Sequence, residues 1–254
     1  MNRKWMAAAL GLIFCVPALH SQDARQIVQE LQRRSQANSE HYEGLLQVID
    51  SKGKTNEKKW TYNRIGSHGN SKVVLRFTAP AEVKDVALLI VNHPDRSSDQ
   101  WMWTPAINRE RRIALQDRRS RFFGTDFSFE DLEERDVDQY DYASKGDDAV
   151  NGEACWKIEA KPRAAKTSQY TRSMLWIRKA NYTYARIENY TLGNLIRRVS
   201  YRDLQPVQNI WTARAIEAED LTRHSRTVLT LQALQYNLSV KDEEFTLQAL
   251  RAGQ

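Results

Sequence analysis

Hydrophobic and polar positions alternate with a period of two along most of this chain. An early stretch is the exception. From Asp23 to about Ser35, Ile27, Val28 and Leu31 recur at helical spacing, with Arg25, Glu30, Arg33 and Arg34 largely off that stripe. Asp23 can cap such a helix. Beyond it, strand-like runs follow one another at 42–49, 60–65, 73–79, 86–92, 100–104, 110–115, 139–143, 154–160, 172–178, 183–191, 195–203, 211–219 and 226–236. Turn chemistry separates them. Asn151-Gly152 and Gly193-Asn194 suit two-residue hairpin turns that need positive φ, and the prolines fall between runs or at their ends.

This order predicts an antiparallel meander, not alternating strands and helices. A meander this long curls into a barrel or a strongly bent sheet, because twist accumulates and open edges invite unwanted pairing. Its alternation leaves one apolar face that needs cover. Two helices are predicted to supply it, residues 23–35 and a short one near 128, with a third candidate in the C-terminal tail. So little cover leaves two solutions: a barrel filled by its own side chains, or an apolar cavity that takes a ligand.

The first 21 residues read differently. Met1-Asn2-Arg3-Lys4 is basic, and Trp5 to Leu19 is apolar apart from Gly11 and Pro17. Small residues follow at cleavage-like positions, which is the order of a secretory signal peptide. The predicted organisation is therefore a signal peptide over 1–21 and one domain over 22–254, exported to the periplasm or an equivalent space. Leu12-Ile13-Phe14-Cys15 outlines a lipobox, but bulky Phe14 stands where a small residue is required. Cys155 is then the one cysteine left, so no internal disulfide is expected. Removing Arg3 and Lys4 from the 38 basic residues leaves 36 against 32 acids, a mildly basic balance that suits an anionic lipid surface.

Candidate chemistry is sparse. His41, His68, His93 and His224 have no metal-pair spacing, and there is no H-E-x-x-H or G-x-S-x-G. Asp147-Asp148 and Glu243-Glu244 read as solvated turn or tail acids, and Cys155 as a small strand residue. No enzyme activity, cofactor or metal is expected. Arg109, Arg111 and Arg112, continued by Arg118, Arg119 and Arg121, form a basic stretch. It reads as a solvated edge or as a docking site for lipid headgroups or an acidic partner. Export argues against nucleic acid.

The densest signature spans residues 101–132. Trp101-Met102-Trp103-Thr104-Pro105 and Asn108-Arg109-Glu110-Arg111-Arg112-Ile113 read as a hairpin. Phe122-Phe123-Gly124-Thr125-Asp126-Phe127-Ser128-Phe129-Glu130-Asp131-Leu132 reads as a turn entering a helix. Gly124 frees the turn, Thr125 follows it, Ser128 and Asp131 have capping-box spacing, and Asp126 is a competing cap. With Tyr42-Glu43-Gly44, Leu75-Arg76-Phe77-Thr78-Ala79-Pro80, Gly152-Glu153-Ala154-Cys155-Trp156 and Leu175-Trp176-Ile177, this text resembles the LolA/LolB-like outer membrane lipoprotein-sorting family. The resemblance implies a mainly β fold: a strongly curved, incomplete antiparallel β-barrel of about 11 strands with a few covering helices. It also implies a carrier of lipid or lipoprotein acyl chains, working as a monomer between an inner-membrane exporter and an outer-membrane acceptor. The same fold serves as a non-enzymatic sensor or helper module of envelope complexes, which is the alternative. By alternation, the expected cavity residues are Trp60, Tyr62, Leu75, Phe77, Leu88, Ile90, Trp101, Trp103 and Trp176, with the reservation that a one-residue slip inverts a strand's faces.

Overall fold

The computed structural model describes residues 23–253. The signal-peptide reading of 1–21 and the Cys15 reading lie outside them. Two runs of hairpins make up the chain. The first comprises β1 (Ser39–Ile49), β2 (Thr55–Ser67), β3 (Asn70–Ala79), β4 (Ala87–Val91), β5 (Asp99–Thr104) and β6 (Arg109–Arg112). The second comprises β7 (Tyr140–Val150), β8 (Glu153–Pro162), β9 (Arg172–Arg178), β10 (Tyr184–Thr191), β11 (Asn194–Val207), β12 (Ile210–Asp220) and β13 (Ser225–Tyr236). An antiparallel β1–β13 pair joins the runs into one 13-stranded sheet, ordered β6-β5-β4-β3-β2-β1-β13-β12-β11-β10-β9-β8-β7. The sheet is curved and does not close into a barrel, as the family resemblance implies. Each strand candidate of the sequence overlaps a strand. The count is thirteen, as many as the runs in the sequence and two more than the resemblance implies, and β6 and β7 form the two edges.

Helix α1 (Ala24–Ser35) begins where Asp23 accepts a hydrogen bond from the Arg25 amide. Its stripe of Ala24, Ile27, Val28 and Leu31 is buried against the concave side of the sheet, beside β7 and β12. A short helix α2 (Leu247–Ala252), capped by Thr246, packs on the convex side. There Phe245 and Leu250 meet Ala87, Leu89 and Trp103.

Between β6 and β7, residues 113–139 must travel from one edge of the sheet to the other. They cross the concave face in short 3-10 turns. No α-helix forms near 128: a single 3-10 turn spans Glu130–Leu132. The box at its start is nevertheless reciprocal. The Ser128 amide donates to Asp131 Oδ2 at 2.7 Å, and the Asp131 amide donates to Ser128 Oγ at 3.3 Å. Asp126 is not a cap. Fully buried, it accepts from Thr227 Oγ1 at 2.8 Å and Ser225 Oγ at 2.6 Å on β13, and pairs with Arg121. Gly124, at φ 76°, provides the turn that aims Asp126 at β13. Thr125 closes that turn by donating to the Phe122 carbonyl at 2.7 Å.

Phe122 anchors the crossing. It stacks on Phe77 at 5.3 Å and meets Phe129 edge-on at 5.3 Å. Next to this cluster Trp60 lies over Gly44, its cross-strand partner. A Cβ at position 44 would overlap the Trp60 ring. Gly44→Ala is therefore expected to cost about 1–3 kcal/mol through overpacking. Urea unfolding should report the loss, with a change in tryptophan emission as the ring shifts. A variant as stable as wild type would show that the ring moves without cost.

Candidate ligand cavity

The crossing segment and α1 do not fill the concave face. Between them and strands β1, β2 and β10–β13 remains a cavity of about 400 Å3, within the range of about 300–1,000 Å3 common to ligand sites. Strand alternation builds its walls. On β10 to β13, Ile187, Val199, Leu229 and Leu231 point inward, and on the other side Trp60 and Leu75 do so. Phenols make up much of the rest: Tyr42, Tyr62, Tyr140, Tyr170, Tyr182, Tyr184, Tyr201 and Tyr236. Tyr42 stacks on Tyr62 at 4.5 Å, and Tyr184 meets Tyr201 at 5.6 Å. Burial holds the Tyr42, Tyr62 and Tyr184 hydroxyls above the usual tyrosine range, so they stay neutral. Trp211, 46 % exposed, belongs both to the lining and to the surface, and marks an opening.

The rim contributed by residues 130–135 is polar, and its acids have partners. Glu133 pairs with Arg118 at 2.9 Å and with Lys166. Asp131 pairs with Arg197 and accepts from the Tyr170 hydroxyl at 2.7 Å. Glu130 accepts from the Ser168 hydroxyl and, at 2.9 Å, from the Gln169 amide. Arg64 pairs with Glu40 at 3.0 Å and Glu134 at 3.3 Å. Burial dominates at Glu134 and pushes its carboxyl up to about 7, against the pull of Arg64. Burial also holds His68 below the usual imidazole value, while the Gln32 carbonyl lies 3.1 Å from its Nε2.

The residues expected from alternation divide into three groups. Trp60, Tyr62 and Leu75 line the cavity. Phe77, Leu88 and Ile90 lie on the same face but are sealed in the core cluster that holds Ile113, Phe122 and Phe129. Trp101, Trp103 and Trp176 lie on the other face. The β4–β5 register pairs Leu89 with Trp101 and Ala87 with Trp103, so the tryptophans share the convex face and pack under the C-terminal tail. Trp176 sits in a second convex cluster with Val150, Cys155 and Met174. It donates to Asp148 Oδ2 at 2.9 Å. Asp147 and Asp148 stand on strand β7, not in a turn. Arg109, Arg111 and Arg112 are exposed on edge strand β6, and Arg112 also pairs with Asp99. Arg118 is buried in its pair with Glu133 and cannot contribute to a surface patch. Sequence reasoning missed the phenols of β7 and β10–β13 and the charged run 130–135. The alternating pairs Tyr140/Tyr142 and Tyr182/Tyr184 were the available signal.

A family model described as "Uncharacterized protein" matches residues 69–252. The chain belongs to that family. Its fold is the LolA-like one. A DUF1329 family protein from Desulfovibrio piger superposes with a TM-score of 0.85 at 24 % identity, covering 89 % of this chain and 97 % of that one. A Vibrio parahaemolyticus domain named as an outer membrane lipoprotein-sorting protein gives 0.84 at 22 %, covering 90 % and 98 %. A LolA superfamily protein from Nitrosomonas europaea gives 0.68 at 16 %, covering 87 % and 98 %. No curated protein matches the chain. Among the described residues of this LolA-like chain, no three His, Cys, Asp or Glu side chains gather as a metal site, and no helix is long and apolar enough to cross a membrane.

The state of Glu134 has a measurable consequence. Its carboxyl titrates near 4.5 when unfolded and at about 7 when folded. Between those values the native state holds the extra proton, so stability falls as pH rises through that window. Glu134→Gln removes the dependence. Thermal melts between pH 4.5 and 8 should show wild type losing ground to the variant up to about pH 7, then running parallel. Parallel curves throughout would mean that Arg64 keeps Glu134 ionised.

Proposed function

We propose that this protein is a periplasmic carrier that holds a lipid or lipoprotein acyl chain in the cavity of its curved sheet. One observation carries the reading: a sheet of this width, with an apolar concave face, is crossed by its own chain and still keeps about 400 Å3 unfilled. A structural core would close such a space, because an apolar void forfeits contacts on every side. An acyl chain suits both the floor and the phenol ring, since tyrosine presents an apolar body with a polar tip. Each buried methylene is worth about 0.8 kcal/mol, so a chain of about 12 carbons in contact with the wall gives roughly 10 kcal/mol before ordering costs.

The relatives of similar fold support this reading, since one of them is named for outer membrane lipoprotein sorting. The basic and then apolar start of the chain supports export. In this reading residues 22–254 act as one carrier domain, non-enzymatic and without cofactor, loaded at an inner-membrane exporter and emptied at an outer-membrane acceptor. Arg109, Arg111 and Arg112, exposed on an edge strand, are the residues proposed for docking to headgroups or an acidic partner.

The test is an organic extract of protein purified without detergent, analysed by mass spectrometry. Stoichiometric co-purifying lipid is expected. A clean extract, together with a stable protein complex in pull-downs, would replace the carrier by a sensor or helper module.

Mutations separate the faces. Tyr62→Ala should weaken displacement of a fluorescent fatty acid by about fivefold or more while the domain stays folded. Trp101→Ala with Trp103→Ala should lower the melting temperature, since removing a buried tryptophan costs about 3–5 kcal/mol. The fraction still folded should bind as wild type does. Loss of binding in a folded Trp101/Trp103 variant would place the site on the convex side.

A further inference from the structure

Among the described residues, one cation of the cavity lining has no acidic partner. Arg135 lies near the end of the crossing segment and lines the cavity. Its Nη2 donates to Ser173 Oγ at 2.9 Å, and its Cζ lies 4.7 Å from the centre of the Tyr140 ring. Among the described residues it forms no ion pair, and Ser173 is the one acceptor its side chain reaches. Lys166, the other cationic side chain of the lining, pairs with Glu133, and Arg64, Arg118 and Arg197, which pair with acids of the rim, do not line the cavity.

The group is also held in place. Ser173 Oγ donates onward to Asn189 Oδ1 at 2.7 Å, so the lone pairs that accept from Arg135 are oriented. The Arg135 carbonyl accepts from Gln32 Nε2 of α1 at 2.7 Å, which fixes the backbone. A guanidinium presents five N–H donors in a planar fork that matches carboxylate or phosphate oxygens. Burying a cation is costly unless it is paired. A site that fixes one beside neutral phenols is built for an anion that arrives with the ligand.

We infer that the cargo is an acidic amphiphile whose carboxylate or phosphate pairs with Arg135 while its chain lies along the apolar wall. This rests on the carrier reading and narrows it: a neutral acyl ester would leave Arg135 uncompensated.

The experiment compares myristate, methyl myristate and inorganic phosphate as competitors for a fluorescent fatty acid at pH 8, on delipidated wild type and on Arg135→Gln. Myristate should displace the probe at least about tenfold more tightly than its methyl ester, as a charge-assisted hydrogen bond requires. Phosphate alone should not compete, which marks the anion as a headgroup and not a free ion. Arg135→Gln should bring myristate down to the ester's level and leave the ester unchanged. Equal binding of myristate and its ester to wild type overturns the inference and leaves the carrier intact. Displacement by phosphate alone also overturns it, in favour of a free-anion site. Failure of both myristoyl compounds to bind overturns the carrier reading together with it. If Arg135→Gln does not fold, the wild-type ratio of acid to ester still decides.

Discussion

The fold depends on one topological constraint: the strands that follow each other across the middle of the chain, β6 and β7, lie at opposite edges of a 13-stranded sheet. Every other step between consecutive strands joins neighbours in the sheet. The segment 113–139 therefore has to span the sheet, and its Phe122, Phe127 and Phe129 take it over the concave side, where they join the main core. That one passage explains why so few helices suffice as cover. The cover it provides is irregular, a run of short 3-10 turns rather than an α-helix.

An irregular chain over an apolar face carries unpaired backbone and polar side chains into the interior, and these need partners. The crossing meets this need with side chains from strands, from the β8–β9 loop and from its own earlier turns. Asp126 reaches Thr227 and Ser225, Asp131 reaches Arg197 and Tyr170, and Glu133 reaches Arg118, Lys166 and Gln100. Buried pairs of this kind add little net stability compared with apolar packing, yet removing one partner is expensive. They fix where the segment lies. They also hold it at the depth their geometry allows, which keeps it from collapsing onto the phenol-lined floor. The cavity is thus a consequence of covering a greasy sheet with a polar strap.

Much of the fold was legible in the sequence because alternation and turn chemistry are local. Each strand run was visible, and Asp23, Ile27, Val28 and Leu31 marked α1 correctly. The helix expected near 128 was not there, because the Ser128–Asp131 box is the same local pattern whether one 3-10 turn or a full helix follows. The site was less legible for a different reason. Period-two alternation says which residues share a face but not which face is concave. Trp101 and Trp103 do share one, as their spacing requires, and it is the convex one, where Phe245 and Leu250 cover them. A tail more than a hundred residues away decides that, and no local pattern reports it. Asp126 is a similar case: its partners on β13 are about 100 positions distant.

Apolar burial by itself gives a carrier affinity without identity, since any chain of similar length gains the same free energy per methylene. Discrimination needs groups that some ligands satisfy and others leave unpaired. The phenols satisfy many partners, because a hydroxyl both donates and accepts. The paired charges of the strap satisfy one another. Arg135 is what remains, and an unpaired cation penalises every ligand that cannot neutralise it more than it rewards the one that can. On the proposed reading, selectivity rests on Arg135, which among the described residues of the cavity lining is the cation without an acidic partner.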